Sequence, residues 1–188
     1  MSEAEAPIYQ LKITLRDSKP PIWRRVLVPG DIALGELHYV IQIAMGWYNS
    51  HLHQFIVGDL YYSNPSFGLD EYAGNVKSEN RAILSRIVSG EKFKFTYEYD
   101  FGDSWEHTIL VEKILPPDPQ RKLPVCIKGK RACPPEDIGG VWGYDTFLEA
   151  INNPEHPEHA MYREWIGGDF DPETFDLDAI NRRLGAIP

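Results

Sequence analysis

Three histidines offer the most chemistry in this sequence. His51 and His53 are two residues apart, so on a strand both imidazoles would leave the same face, about 7 Å from one another at the backbone. With His107 and one of the two cysteines, Cys126 or Cys133, they could complete a tetrahedral site of the kind that holds zinc. The spacing matches no paired Cys-x-x-Cys pattern, because Cys126 and Cys133 are seven apart. Imidazoles within a sheet also bond to carboxylates or backbone carbonyls, and that reading stands beside the metal site.

Carboxylates make a second set. Asp100 and Asp103 flank Gly102; aspartate side chains accept from nearby backbone N–H groups and glycine tolerates positive φ, so a tight turn is expected there. Asp103 and His107 would make a base with its orienting carboxylate, but no Ser or Cys nucleophile lies in a recognisable context beside them. Trp105 and the aromatic stripe around it fit a core better than a ligand platform. Cys133 to Gly140 reads as a shaped loop, in which two prolines fix the entry, Glu136 and Asp137 follow, and two glycines permit a close backbone approach. Those two carboxylates are the best suited to hold a cation or the N–H of a histidine. The acidic run Asp169 to Glu173 fails as a calcium loop: an EF-hand from Asp169 needs Gly and Glu where the chain has Thr174 and Ile180. There is no Gly-rich phosphate loop, no Gly-x-Ser-x-Gly and no His-Glu-x-x-His.

The elements that must position these residues follow from hydrophobic period. Tyr9, Leu11, Ile13 and Leu15 alternate with polar residues, and Ile22 to Val28 returns after a turn at Asp17 to Pro21, which predicts a hairpin. Leu34, Leu37, Ile41 and Ala44 recur at helical spacing, predicting a helix over Ala33–Trp47 with Asp31 as cap and Gly46 as its end. His51 to Gly58 is expected to be a third strand. Asp59 to Glu79 reads as a long, partly ordered loop, and Ile83 to Val88 is ambiguous. Phe93, Phe95, Tyr97 and Tyr99 form the clearest strand, turning at Asp100 to Asp103 into a partner whose apolar face is Trp105, His107, Ile109 and Val111. After Pro116-Pro117 helices and loops are expected: one helix carrying Tyr144, Phe147, Leu148 and Ile151, one opened by Pro157, and one capped by Asp176. The fold class is therefore α+β, with a mixed or antiparallel sheet and a C-terminal helical region. A single domain over 8–188 is expected, sheet-rich over 8–115, with loops and helices over 116–188.

Composition bounds the function. In 188 residues, 43% hydrophobic and 12% aromatic, there is enough apolar surface for one core and too little polar bias for disorder. No run approaches the roughly twenty apolar residues of a membrane-spanning helix, Met1 to Ala6 is acidic rather than basic then apolar, and two cysteines suit a reducing compartment. A cytoplasmic location and no membrane partner are expected, and a local bridge between Cys126 and Cys133 stays open. The net charge of −9 is C-terminal: Met1 to Cys133 has sixteen basic and sixteen acidic residues, and Pro134 to Pro188 has three and twelve. The basic stretch Arg121, Lys122, Lys128, Lys130 and Arg131 is expected to dock on this acidic tail or keep the surface solvated. Bulk charge argues against nucleic acid as a partner.

Several motifs together resemble one family. They are Pro21-Ile22-Trp23-Arg24-Arg25, Leu37-His38, Gly46-Trp47 followed by His51-x-His53-x-Phe55, Tyr99-Asp100-Phe101-Gly102-Asp103-x-Trp105-x-His107, Cys133-Pro134-Pro135-Glu136-Asp137 and Trp165-x-Gly167-Gly168. This set resembles the plasmid pRiA ORF-three-like family over about Ile8 to Leu184. The resemblance implies an α+β domain in which hairpin, helix and further strands make a β-grasp-like arrangement, and it brings no established reaction. Relatives carry a third cysteine where this chain has Ile138, which takes a thiolate from any sulfur-rich metal site. The first reading is a noncatalytic binding or accessory domain with its site among His51, His53, His107, Glu136 and Asp137. One alternative is a metal-dependent hydrolase using a His51, His53 and His107 cluster, with zinc as the cofactor and Glu136 or Asp137 as base. Another is a nucleic-acid accessory protein of mobile elements, acting through the loop Arg121 to Arg131.

Overall fold

Alternating side chains set the first hairpin of the computed structural model, which describes residues 5–188 apart from the side chains of residues 72 and 73. Met1–Ala4 of the acidic start lie outside the described residues. Strands β1 (Ile8–Leu15) and β2 (Trp23–Pro29) pair antiparallel from Ile8 with Pro29 to Thr14 with Trp23. Helix α1 (Leu34–Met45) follows, shorter than the predicted span. Asp31 is not its cap; the Glu36 carboxylate accepts the Ala33 N–H at 2.9 Å instead, joining a free helix-end donor to an acid in the first turn. Gly46 ends the helix as expected, at φ 119°.

Strand β3 (His53–Val57) starts two residues later than predicted. The segment read as a loop instead carries β4 (Leu60–Ser63), a 3₁₀ turn, α2 (Asp70–Ala73) and β5 (Val76–Ser78). Strands of four and three residues are too short to display alternation, which is why the pattern missed them. The ambiguous apolar run forms one helical turn, α3 (Leu84–Ile87). Strands β6 (Lys94–Tyr99) and β7 (Trp105–Leu115) form the predicted second hairpin. An unpredicted strand, β8 (Val125–Lys130), is followed by α4 (Gly140–Asn152), α5 (His159–Ile166) and α6 (Leu177–Leu184). Asp176 caps α6 as expected, its carboxylate accepting the Ala179 N–H at 2.9 Å.

One eight-stranded sheet results, in the order β5-β4-β3-β6-β7-β1-β2-β8, antiparallel except for the β4–β5 pair. The fold is α+β, with the hairpin, helix, further strands and C-terminal helices in the expected order. Its buried face packs against α1 through Leu34, Leu37, Ile41 and Ala44, and the same core takes in Tyr144 and Phe147 of α4 and Leu184 of α6. Burying side chains of this size stabilises by about 1.5–3 kcal/mol each relative to leaving them in water.

Two polar devices hold the right-hand half of the sheet. Arg24 of β2 points into the core at 2% exposure, where its guanidinium donates to the carbonyls of Ala44 at 2.6 Å and Arg131 at 2.8 Å. It also reaches Trp23 at 2.9 Å and Lys130 at 3.1 Å, and lies over the Phe175 ring at 4.8 Å. It thus ties the last carbonyls of α1 to the end of β8, and burial pushes its pKa down. Asn181 of α6 lies along the outer edge of β8: its side chain accepts from the Cys126 N–H and donates to the Cys126 carbonyl, both at 2.8 Å.

Candidate functional site

The three histidines of the predicted metal cluster occupy three separate places. The reason is sheet geometry. His53, Tyr99 and Trp105 form one cross-strand row and Phe55, Tyr97, His107 and Leu15 the next, so His53 and His107 are two strands and one row apart, about 12 Å at the backbone. The Tyr97 ring stands between them, 6.1 Å from His53 and 5.4 Å from His107, centre to centre. His51 lies ahead of the strand, and the turn there sends its ring elsewhere. The predicted His51, His53 and His107 zinc cluster is therefore not assembled. Cys126 and Cys133 do not complete it either; both are free, and burial pushes both thiols up. Their sulfurs belong to the surroundings of Arg24.

His107 is fully buried and finds its partner in the sheet backbone, with Nδ1 3.3 Å from the Tyr97 carbonyl. As a donor to that carbonyl it leaves Nε2 without a partner among the described residues, and burial lowers its pKa to about 4. The Asp103–His107 acid–base pair is not formed: Asp103 is in the turn, where its Oδ2 accepts the Gly139 N–H at 3.0 Å.

What the fold does assemble is a carboxylate cluster around His51. Asp100, at φ 59°, starts the β6–β7 turn, and its Oδ1 accepts from Gly102 at 3.0 Å and Asp103 at 3.3 Å, as the Asp-Gly-Asp pattern predicted. That leaves Oδ2 for His51 Nε2, 3.5 Å away. The Cys133 to Gly140 loop folds over this turn so closely that a Cβ on Gly140 would stand 2.5 Å from the Asp103 carbonyl oxygen. Glu136 Oε1 accepts from the Tyr48 N–H and the Tyr99 hydroxyl, both at 2.9 Å, and Oε2 is 3.8 Å from His51 Nε2. Burial, with the Glu136 carboxylate adding to it, pushes the Tyr99 phenol up and keeps it a donor. Asp137, at φ 60°, brings Oδ1 to 2.8 Å from the same nitrogen. Despite these contacts Nε2 is shielded and aligned with no acceptor. One ligand atom each from His51, Asp100 and Asp137 lies within 4.8 Å of the others.

Beside this cluster, and sharing His51 as a wall, is a half-open cleft of about 550 Å³. His38 and His53 form its floor, their rings stacked at 3.4 Å and 7°. His38 belongs to a ring of four hydrogen bonds. The Asn49 N–H donates to Gln42 Oε1 at 2.8 Å, Gln42 Nε2 to the Tyr97 hydroxyl at 2.9 Å, that hydroxyl to His38 Nδ1 at 2.8 Å, and His38 Nε2 to Asn49 Oδ1 at 2.8 Å. The Asn49 main-chain N–H can only donate, and followed from it each side chain accepts one bond and donates the next, which assigns the Gln42 amide orientation and the His38 tautomer. The ring requires a neutral His38, and burial together with His53 lowers its pKa to about 3. His53 Nε2 is 2.7 Å from Glu79 Oε2.

Sequence reasoning missed His38, Gln42, Glu79 and Arg24. His38 and Gln42 carried a signal, since each falls among the apolar positions of α1; Arg24 did too, being in phase with Ile22, Val26 and Val28. Glu79, in a polar segment, carried none. Trp105 is fully buried core, as expected. In the basic stretch, Arg131 pairs with Glu173 of the acidic tail at 3.1 Å and Arg121 with Asp118 at 3.6 Å. Among the described residues no helix is long and apolar enough to cross a membrane.

The chain resembles proteins that share its architecture. It is 38% identical over 181 residues to the uncharacterised protein y4hQ of Sinorhizobium fredii, covering 95% of this chain and 91% of that one. The crystal structure of MM3350, a protein of unknown function from Methanosarcina mazei, superposes with a TM-score of 0.82 at 37% identity, over 92% of this chain and 97% of that one. Residues 7–179 match the model of the plasmid pRiA4b ORF-3-like proteins, and with motifs, fold and relatives in agreement, the chain belongs to that family.

Proposed function

We propose that this chain is a cytoplasmic accessory domain that binds a divalent first-row cation, such as Mn²⁺ or Zn²⁺, at His51, Asp100, Glu136 and Asp137. The observation that carries the reading is the convergence of three carboxylates on one shielded, unaligned imidazole nitrogen. No lysine or arginine pairs with any of the three among the described residues. Ligand atoms on opposite sides of an ion with bonds near 2.1–2.4 Å are about 4–5 Å apart, which suits His51, Asp100 and Asp137, whose ligand atoms all lie within 4.8 Å of one another; Glu136 stands next to them, 3.8 Å from the imidazole nitrogen. One nitrogen with several hard oxygens favours a first-row ion over a thiolate-type site. Asp100 and Glu136 are already oriented by backbone and phenolic donors, the outer support that ligand groups need. The two free cysteines agree with a reducing compartment.

Titration calorimetry of untagged protein with MnCl₂ and ZnCl₂, together with elemental analysis, tests the proposal. About one ion per chain is expected, with affinity reduced at least tenfold in His51→Ala and Asp137→Asn. Asp137 is the cleaner position because its side chain is 68% exposed. Absence of binding at millimolar metal, or unchanged binding in both variants, would refute it.

A further inference from the structure

The cleft beside the cation cluster has a chemistry of its own. Its lining includes two carboxylates, Glu36 and Glu79, and three imidazoles, but no lysine or arginine. Such a surface offers an anion no permanently charged partner and sets two carboxylates against it.

Glu79 is the unusual member. At 2% exposure it is as buried as the core, yet its protein partner is one imidazole, on Oε2. Among the described residues no donor reaches its Oε1. A carboxylate has about four lone-pair sites, and withdrawing it from water with one donor is costly unless something else supplies the rest. The neighbouring His53, 3% exposed, also has Nδ1 without a partner. Both residues line one cavity, whose volume of about 550 Å³ falls in the range of about 300–1,000 Å³ usual for small-molecule sites.

The rest of the lining narrows the ligand. Tyr39, 51% exposed, stands edge-on to His38 at 5.1 Å. Phe67 stands edge-on to His53 at 5.3 Å and 88°. Both rings line the cleft with Glu79, and a carboxylate with aromatic rings in the same cavity suits an ammonium group, through hydrogen bonds to the carboxylate and attraction to the ring quadrupole.

We propose that this cleft binds a small organic cation, a primary amine whose ammonium donates to the unused oxygen of Glu79. The site is distinct from the cation cluster: Asp100, Glu136 and Asp137 are not in its lining, and only His51 is shared.

Three four-carbon probes differing in charge test it: putrescine, 1,4-butanediol and succinate, titrated into the full chain by calorimetry and by amide NMR. Putrescine is expected to bind at least tenfold more tightly than butanediol, succinate not to saturate, and shifts to concentrate at residues 36–39, 49–53 and 64–80. Glu79→Gln should weaken putrescine about tenfold, the loss of one hydrogen bond to a charged group. Asp137→Asn should leave it within twofold of wild type, so failure of the metal site and failure of the cleft read out separately. Putrescine binding no tighter than butanediol, succinate binding best, no saturable putrescine binding, or an unaffected Glu79→Gln would each overturn the proposal. If Glu79→Gln loses its fold by circular dichroism, Tyr39→Ala decides: about three- to fivefold weaker putrescine is expected from loss of the ring face, and wild-type affinity refutes.

Discussion

Replacing His107 with leucine should make the protein less sensitive to acid. The imidazole is fully buried and held neutral, its pKa lowered from 6.5 to about 4 by burial. Well above pH 6.5 neither the folded nor the unfolded chain takes up a proton at this residue, and its titration does not affect stability. As pH falls through 6.5 the unfolded chain binds a proton that the folded chain refuses. Stability then drops by ~1.4 kcal/mol per pH unit until the folded group itself titrates near pH 4. Between pH 7 and pH 5 this amounts to about 2 kcal/mol from His107 alone. His38, lowered to about 3, adds a comparable slope in the same direction. In His107→Leu the 3.3 Å bond to the Tyr97 carbonyl is lost, but a buried nitrogen without a partner goes with it. The net change at pH 7 should stay within about 1 kcal/mol. At pH 5 the variant should exceed wild type by about 1–3 kcal/mol. Urea unfolding followed by tryptophan fluorescence at both pH values measures each quantity. An equal fall in both proteins from pH 7 to pH 5 would show that burial of this imidazole does not set the acid response.

Tyr97→Phe opens the ring of four hydrogen bonds and strands Gln42 Nε2 and His38 Nδ1 in the core, which should cost about 2–4 kcal/mol by urea midpoint; a cost under about 0.5 kcal/mol would mean that water takes the place of the phenol. Gly140→Ala places a Cβ 2.5 Å from the Asp103 carbonyl oxygen at φ +71°, so about 2 kcal/mol or more should be lost in thermal unfolding, together with weaker Mn²⁺ binding as the loop shifts off the turn.

How much of this was legible in the sequence depends on the kind of signal each element carries. The β6–β7 hairpin showed a strict period of two, aromatic residues and an Asp-Gly-Asp turn, and all three agree with the structure. Helix α1 showed its apolar stripe but not its true N-terminus, because the capping group is a glutamate inside the first turn rather than a short polar residue before it. Strand β8 was invisible because only one of its side chains, Cys126, is buried, leaving no alternating apolar face. For the site, Glu136 and Asp137 could be read as partners of a histidine from loop chemistry alone. That the histidine would be His51 without His53 depends on a strand start displaced by two residues, which reverses the surroundings of the ring. Glu79 lies 26 positions beyond His53, and a contact made by tertiary packing leaves no periodic trace.

Asn181 has a consequence for what this sheet can do with other chains. By supplying an acceptor and a donor to the main chain of Cys126 it imitates, at one residue, the neighbouring strand that β8 lacks. An incoming extended peptide would have to displace helix α6 before it could pair along this side. At the opposite end the sheet finishes in β5, only three residues long, too short to seed a stable extension. The eight strands are thus closed at both ends, one by a side-chain stopper and the other by brevity, and the exposed Lys77 of β5 and Lys128 and Lys130 of β8 add charge to both borders, so that edge-to-edge polymerisation is discouraged.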